Sequence, residues 1–251
     1  VCGGHTHAIF KFGLDQLLPE NIEFIHGPGC PVCVLPMGRI DTCIDIASRP
    51  GVMFCTFGDA MRVPGKNGSL LQAKSRGADV RIVYSPMDAL KLAQQNPQRE
   101  VVFFGLGFET TMPATALTLR QARERNVDNF FFFCQHITLL PTLRSLLDQP
   151  DNSIDAFLAP GHVSMVIGTE AYGFIASDYR RPLVVAGFEP LDLLQGAVML
   201  VEQTIAQCSQ VENQYRRVLP DEGNPLAQAA IADVFCLSGD SEWRGLGVIN
   251  N

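Results

Sequence analysis

The sequence is poor in charged residues and has no run of lysine and arginine. Charged residues make up 18% of the 251 positions, and the formal net charge is -7. The concentrated positive charge that attracts nucleic acid or anionic lipid is therefore missing, and we expect neither nucleic acid nor a membrane as a partner. The longest apolar runs, such as residues 101–106 and 130–134, have the length of a strand and are far too short to span a bilayer.

The eight cysteines do not indicate a disulfide-stapled domain, because such domains are small and lack a core. With 251 residues, 47% of them hydrophobic, this chain can build a core of its own. We therefore interpret the cysteines as reduced thiols, which predicts a cytoplasmic protein. Cys55, Cys134 and Cys236 lie in apolar runs, where a thiol behaves as a small hydrophobic group, and we expect them in the core.

Short β-branched and aromatic runs alternate with longer helical patterns. The predicted strands are 22–26, 51–56, 79–84, 101–106, 130–134, 154–158 and 183–186, and the predicted helices are 35–47, 86–95, 113–125, 138–147 and 191–207. This alternation predicts an α/β fold with parallel sheets covered on both faces. Polar stretches near residues 97 and 208 are candidate boundaries, which divide the chain into two α/β regions, 1–97 and 98–207, and a polar C-terminal region, 208–251.

The strongest local signal is a cysteine pair in a turn rich in glycine and proline. Residues 27–33 (GPGCPVC) follow a predicted strand and precede a predicted helix, which places Cys30 and Cys33 at a helix N-terminus. Exposed amide groups and the helix dipole favour a thiolate there, and the two-residue spacing allows a disulfide or a shared metal. Half of a structural zinc site is an alternative, although a closed site needs four ligands and no second CxxC is present.

A second signal is the segment 2–7 (CGGHTH). Gly3 and Gly4 leave steric room around the Cys2 sulfur, and His5 offers a nitrogen ligand, a base or a hydrogen-bond donor. This pattern suits an exposed, coordinating thiolate. The alternative is a buried cysteine in a strand-to-helix turn, beside a histidine that has only a structural role in the core.

Three further segments lie at predicted strand ends. Residues 159–164 (APGHVS) place His162 at a sharp turn, and the tripeptide GFE occurs at 107–109 and again at 187–189, each time between a strand and a helix. Ligands bind at the carboxyl edge of open α/β sheets, so these segments are candidate site elements. For each of them the alternative is structural: the glycine permits a tight turn, the glutamate caps a helix and the histidine is tied into the fold.

Taken in order, the segments 2–7, 27–33, 105–113 (GLGFETTMP), 159–164 and 187–192 (GFEPLD) resemble the signature blocks of the HypD family. The resemblance implies two similarly folded α/β domains that face each other across a cleft. It also implies a third domain with a four-iron, four-sulfur cluster, whose ligands we do not find in this sequence. Because the chain begins with Val1 rather than Met and ends abruptly, we expect a fragment that lacks both native termini and the cluster domain.

The resemblance further implies a function in assembling the Fe(CN)2CO group of nickel–iron hydrogenases. Cys2 would hold the iron together with a cysteine of a small HypC-type chaperone, and a HypE-type partner would donate the cyanide. The hydrogenase large subunit would be an indirect partner. Cys30 and Cys33 would form a redox-active pair that exchanges electrons with the cluster.

Supporting roles follow from the same resemblance. His162, His5 and Glu109 would be polar groups in the cleft, and the remaining candidate residues near the iron group are Gly3, Gly4, Gly29, Thr110 and Glu189. Thiolate ligation agrees with the chemistry, because ferrous iron that carries cyanide and carbon monoxide favours soft sulfur ligands. Two other hypotheses remain: a metal-free thiol–disulfide oxidoreductase, and a structural-zinc protein whose glycine-rich loops bind a partner.

Overall fold

The structure is a computed structural model that describes residues 1–27, 29–245 and 247–250. It divides into two compact units, each built from two segments of the sequence. The first unit comprises Val1–Cys30 and Leu139–Gln228, and the second comprises Pro31–Thr138 and Ala229–Asn251. Within the described ranges, every helix is too short or too polar to cross a membrane.

The second unit is built on a parallel sheet of four strands in the order β2-β1-β3-β4. The strands are β1 Val52–Thr56, β2 Val80–Ile82, β3 Glu100–Gly107 and β4 Phe130–His136. The helices are α2 Met37–Ala47, α3 Leu70–Ser75, α4 Pro86–Gln95 and α5 Met112–Glu124. A hairpin of β8 Asp240–Trp243 and β9 Gly247–Asn250 completes this unit.

Alternate residues of the central strands enter two separate cores, one on each face of this sheet. Phe54 and Phe104 pack with residues of α2 and α3, whereas Met53 and Phe103 pack with residues of α4. All four side chains are fully buried. A parallel strand covered on both faces has no polar side, which explains the unbroken apolar runs in the sequence.

The first unit is built on a parallel sheet of three strands in the order β5-β6-β7. The strands are β5 Phe157–Pro160, β6 Leu183–Ala186 and β7 Val211–Asn213. The helices are α1 Gly3–Phe12, α6 Leu139–Leu147, α7 Gly161–Ile167, α8 Gly173–Ser177 and α9 Pro190–Ile205. A further helix, α10 Pro225–Val234, begins in the first unit and ends in the second. Residues of α1 and α9 share one core with alternate residues of β5 and β6.

The predicted α/β class with parallel sheets is confirmed, and near the N-terminus two elements differ from the prediction. The segment 22–26 is not a strand; only Val1 pairs with its end, donating to the Ile25 carbonyl at 3.0 Å and accepting from the Gly27 amide at 2.9 Å. The helix α1 was not predicted, because its first residues include two glycines, which disfavour helix. Burial of Ala8 and Ile9 in the core shared with α9 stabilises this helix instead.

The two compact units also differ from the predicted domains 1–97 and 98–207. The position between residues 97 and 98 falls inside the four-stranded sheet, because β1 and β2 precede it and β3 and β4 follow it. The polar stretch there is a turn, and the Asn129 side chain donates hydrogen bonds to three carbonyl groups around it. The predicted C-terminal region likewise begins just before β7, which pairs with β6 in the first unit.

Gly196 lets α9 lie close to the three-stranded sheet, which fixes the helix whose start carries the second GFE segment. A methyl group at Gly196 would lie 2.7 Å from Leu158 Cδ1 and 3.3 Å from Ala186 Cβ. We expect Gly196→Val to lower the free energy of unfolding by about 1–3 kcal/mol through overpacking, measured by urea denaturation. Gly173→Ala in α8 is the matched control, because its methyl group would meet no atom within 4 Å. Equal stability of the two variants would contradict this account.

Candidate functional site

Cys2 caps the N-terminus of α1. Its backbone is extended, and its Sγ accepts a hydrogen bond from the His5 amide at 3.4 Å. The Thr6 hydroxyl donates to the Cys2 carbonyl at 2.9 Å. The first amides of a helix have no partner within it, so the cysteine sulfur fills the position that serine or aspartate usually takes. The start of the helix therefore determines where the sulfur lies.

Burial raises the pKa of the Cys2 thiol above its usual value, and the hydrogen bonds from the amides of His5 and Gly4 only partly oppose this effect. Cys2 is half-buried. The sequence predicted an exposed thiolate at this position, and the structure corrects that prediction to a sheltered, protonated thiol. A metal that binds here must displace the proton, as metals do when they bind cysteine.

Neighbouring groups occupy the space that the glycines leave. A methyl group at Gly29 would overlap the backbone nitrogen of Gly3, so the loop that precedes Cys30 packs directly on the start of α1. A methyl group at Gly4 would lie 2.8 Å from Cε1 of Phe188 and 3.8 Å from the Cys2 Sγ. Gly29 thus allows the close approach of its loop to the start of α1, and Gly4 allows that of an aromatic ring.

The ring of Phe188 brings three of the sequence blocks together. Its centroid lies 4.9 Å from that of His5 and 5.1 Å from that of His162. His162 follows β5 and Phe188 follows β6, so both lie at the carboxyl edge of the three-stranded sheet, as the sequence predicted for ligand-binding segments. Sequence reasoning considered only the glutamates of the GFE repeat and missed its phenylalanine, although the repeat itself was the available signal.

Both histidines of this site are uncharged at neutral pH. His5 is fully buried, and burial lowers its pKa to about 4. The His5 Nε2 lies 3.4 Å from the Ala186 carbonyl oxygen, and this contact favours the tautomer in which Nε2 carries the proton and donates it. The His5 Nδ1 has no hydrogen-bond partner among the described residues. Burial also lowers the pKa of His162. A neutral imidazole does not repel a metal cation and offers it a nitrogen lone pair.

The carboxylates near the second GFE segment have structural roles. Glu189 is exposed at the N-cap of α9 and forms an ion pair with Arg217 at 3.7 Å. The buried carboxylate is that of Asp192, which accepts hydrogen bonds of 2.7 and 2.6 Å from Arg217 and one of 3.0 Å from Gln214. For Glu189 the structure thus supports the alternative reading, in which the glutamate serves the start of a helix.

The CxxC pair does not lie at a helix N-terminus, contrary to the sequence prediction. The helix α2 begins at Met37 with Pro36 as its N-cap, so residues 31–34 form a turn that ends before the helix starts. Cys30 is half-buried and Cys33 is exposed. Pro28, which belongs to the same motif, lies outside the described residues. The helix start that carries a cysteine is that of α1.

The first GFE segment lies in the second unit and repeats the same connection from strand to helix. Glu109 is buried, with 4% of its surface exposed, and Thr110 is half-buried before α5. Phe108 is buried and packs on Trp243, with ring centroids 6.2 Å apart. The two GFE segments therefore share their place after a strand but differ in which side chain is buried.

The cysteines predicted in the core divide into two groups. Cys55 is buried, and burial raises its pKa to about 12. Cys134 and Cys236 are exposed, contrary to the prediction. Cys134 lies on β4, where the burial pattern shows an edge strand with incomplete cover, and its Sγ is 3.9 Å from Nδ1 of His136. An apolar run therefore does not guarantee burial on an edge strand.

Residues 1–27, 29–245 and 247–250 contain no group of three or more histidine, cysteine, aspartate and glutamate side chains arranged to hold a metal ion. A closed zinc site or a four-iron, four-sulfur cluster needs four protein ligands and does not fit these residues.

The fold and the site define an α/β protein with a thiol and two neutral imidazoles near the carboxyl edge of a parallel sheet. The chain belongs to the HypD family: the family model described as "HypD: Hydrogenase formation hypA family" matches residues 1–251. It is 84% identical over its full length to the hydrogenase maturation factor HypD of Escherichia coli (strain K12), of which it covers 67%. It is 61% identical over 250 residues to the HypD of Rhodobacter capsulatus, of which it covers 66%. The chain thus spans about two thirds of the length of these relatives.

The packing of the Cys30 loop on α1 generates a prediction about the accessibility of Cys2. We expect Gly29→Ala to displace this loop, because the methyl group would overlap Gly3, and to increase the rate at which iodoacetamide alkylates Cys2. Peptide mapping by mass spectrometry measures the rate at each cysteine. Gly27→Ala is the control, since its methyl group would meet only the Val1 carbonyl at 3.4 Å. The packing account is wrong if both variants react at the wild-type rate.

The buried Asp192 generates a prediction about pH. Hydrogen bonds from Arg217 hold the pKa of its carboxyl group below the unfolded value of about 3.9. Because the folded pKa is the lower one, this group contributes stability that is present above about pH 4 and lost as the pH falls through the folded pKa. We expect the unfolding free energy of Asp192→Asn to depend less steeply on pH in the acid range. The unfolding free energy of Asp151→Asn, which alters an exposed residue of the same unit, should depend on pH as that of the wild type does. Parallel curves of unfolding free energy against pH for all three proteins would refute the prediction.

Proposed function

We propose that the protein is a hydrogenase maturation factor that serves as a scaffold for assembly of the Fe(CN)2CO group, and that Cys2 binds the iron. The iron group is a cargo of the scaffold and not a resident cofactor. The observation that carries the proposal is the position of the Cys2 sulfur, which caps α1 beside Phe188 and the buried His5. Membership of a family whose relatives are named hydrogenase maturation factors supports it.

A sheltered thiol suits a temporary iron site. Its raised pKa keeps Cys2 protonated and slow to react with oxidants or electrophiles while no metal is bound. Ferrous iron displaces the proton and forms a bond to the soft thiolate, which another sulfur site can later take over. The neutral rings of His5 and His162 place no positive charge next to the arriving cation.

One protein thiolate leaves most positions of the iron open. We propose that a HypC-type chaperone supplies the second anchor through its own cysteine, and that a HypE-type protein donates the cyanide groups. The hydrogenase large subunit then receives the iron indirectly. The small number of metal-ligating side chains around Cys2 supports a shared site, because a single coordination bond alone would hold the metal weakly.

The CxxC pair is proposed to exchange electrons with the four-iron, four-sulfur cluster that the family resemblance implies for the full-length protein. Oxidation of Cys30 and Cys33 to a disulfide releases two electrons and two protons, and the two-residue spacing permits that bond. Exposure of Cys33 gives a redox partner access to the pair. The alternative function, a metal-free thiol–disulfide oxidoreductase, uses the same two residues and assigns no function to Cys2.

The iron content of the complex with the chaperone tests the scaffold proposal. We expect Cys2→Ser to lower the iron content of the anaerobically copurified complex far more than it lowers the amount of complex. The physical reason is that the thiolate contributes one coordination bond, whereas a specific protein interface spreads over roughly 1,200–2,000 Å². Metal analysis and quantitative gel analysis of the same samples measure both quantities.

Cys134→Ser is the matched control, because it alters a thiol that the structure shows as exposed. It should retain wild-type iron and wild-type infrared bands of iron-bound cyanide and carbon monoxide. Unchanged iron in Cys2→Ser would contradict the assignment of the ligand. A wild-type complex with no iron and no such bands would favour the oxidoreductase.

A further inference from the structure

Phe188 occupies a position that its counterpart in the other GFE segment does not. Phe108 is buried and belongs to a core with Trp243. Phe188 is only half-buried, and its ring lies against the imidazoles of His5 and His162. The same motif position therefore serves ordinary core packing in one unit and contacts two polar rings in the other.

The start of α1 is shaped to receive this ring. Glycine disfavours helix relative to alanine, so its presence at the second helical position calls for a packing reason. An alanine methyl group at Gly4 would lie 2.8 Å from Cε1 and 3.1 Å from Cδ1 of Phe188, which is closer than carbon atoms approach. The same methyl position lies 3.8 Å from the Cys2 Sγ, so ring and sulfur both border the space that Gly4 leaves open.

The contacts of the ring are directional. Its plane is inclined by 37° to that of His5 and by 45° to that of His162, which are tilted arrangements of the kind that aromatic pairs adopt. The imidazole of His5 is also held by the hydrogen bond from Nε2 to the Ala186 carbonyl. The ring of Phe188 therefore contacts both imidazoles and also borders the first turn of α1.

We propose that Phe188 is a positioning residue of the Cys2 site: its ring fixes the orientation of His5 and His162 and holds the first turn of α1, which carries Cys2, in place. The relevance of this arrangement to iron rests on the proposed function. The arrangement itself does not, and it can be measured without metal.

The test compares Phe188→Leu with Phe188→Tyr in the protein without metal. Leucine removes the ring current, so we expect the ring protons of His5 and His162 to change their chemical shifts in the NMR spectrum and Cys2 to be alkylated severalfold faster. Tyrosine keeps the ring and should retain both wild-type properties. Phe108→Leu is the matched control from the other GFE segment, and it should leave the two histidines and Cys2 unchanged.

A double variant tests the contact with Gly4. Gly4→Ala should also accelerate the alkylation of Cys2, because the methyl group pushes the ring away. Combined with Phe188→Leu it should add little, since residues in contact do not contribute independently. Additive effects, unchanged histidine resonances in Phe188→Leu, or the same changes in Phe108→Leu would each overturn the proposal.

Iron content separates this inference from the function on which it rests. In the anaerobic complex with the chaperone, Phe188→Leu should hold severalfold less iron than the wild type and Phe188→Tyr should hold a similar amount. If Cys2→Ser loses the iron while Phe188→Leu retains it, the positioning role is refuted and the scaffold function stands. If Cys2→Ser retains the iron, the scaffold assignment fails, and the metal-free measurements still decide the role of Phe188.

Discussion

Close packing at the carboxyl ends of β5 and β6 is the constraint on which the first unit depends. A methyl group at Gly161 would lie 2.8 Å from both the Ala186 carbonyl oxygen and the ring of Tyr215, and one at Gly187 would lie 2.7 Å from the same ring. Tyr215 thus fills the space above both glycines. Only a backbone without side chains at these two points can place the turns that carry His162 and Phe188 so close to each other.

At the carboxyl ends of β5 and β6, the charged side chains lie around the Cys2 site and the groups next to Cys2 are neutral. The ion pair of Asp192 with Arg217 holds the start of α9, and the guanidinium group of Arg217 also lies over the ring of Tyr215, 4.7 Å from its centroid. Toward the interior, burial keeps both His5 and Cys2 in their uncharged forms. A site of this kind favours thiolate formation only when a cation arrives to compensate the charge, because an isolated buried thiolate is costly.

The parallel α/β class and five of the ten α-helices in the described ranges could be predicted from the sequence. Buried central strands such as β3 leave an unbroken apolar run, and helices such as α4 begin with a clear capping pattern. The helix α1 could not be predicted, since its start contains two glycines and its stability comes from packing against a segment nearly two hundred residues away in sequence. The cysteine at a helix N-terminus was also misassigned: Cys30 and Cys33 were expected at the start of α2, which begins only at Met37, whereas Cys2 caps α1. Blocks of the site were recognisable locally, whereas the ring that joins them is a tertiary contact.

The exposure of each cysteine follows from the element that carries it, and the cysteines accordingly differ in how accessible their thiols are. Cys43 and Cys55 are buried within the second unit, where burial raises the pKa of each to about 12 and leaves them unreactive. Cys33 lies on an exposed turn, which gives redox partners access to it. Cys2 lies between these extremes: half-buried, protonated, and held at a helix start by a backbone hydrogen bond. This intermediate state agrees with the proposed temporary metal site, because a partly open thiol can be reached by a metal, whereas a fully exposed sulfur is open to oxidation.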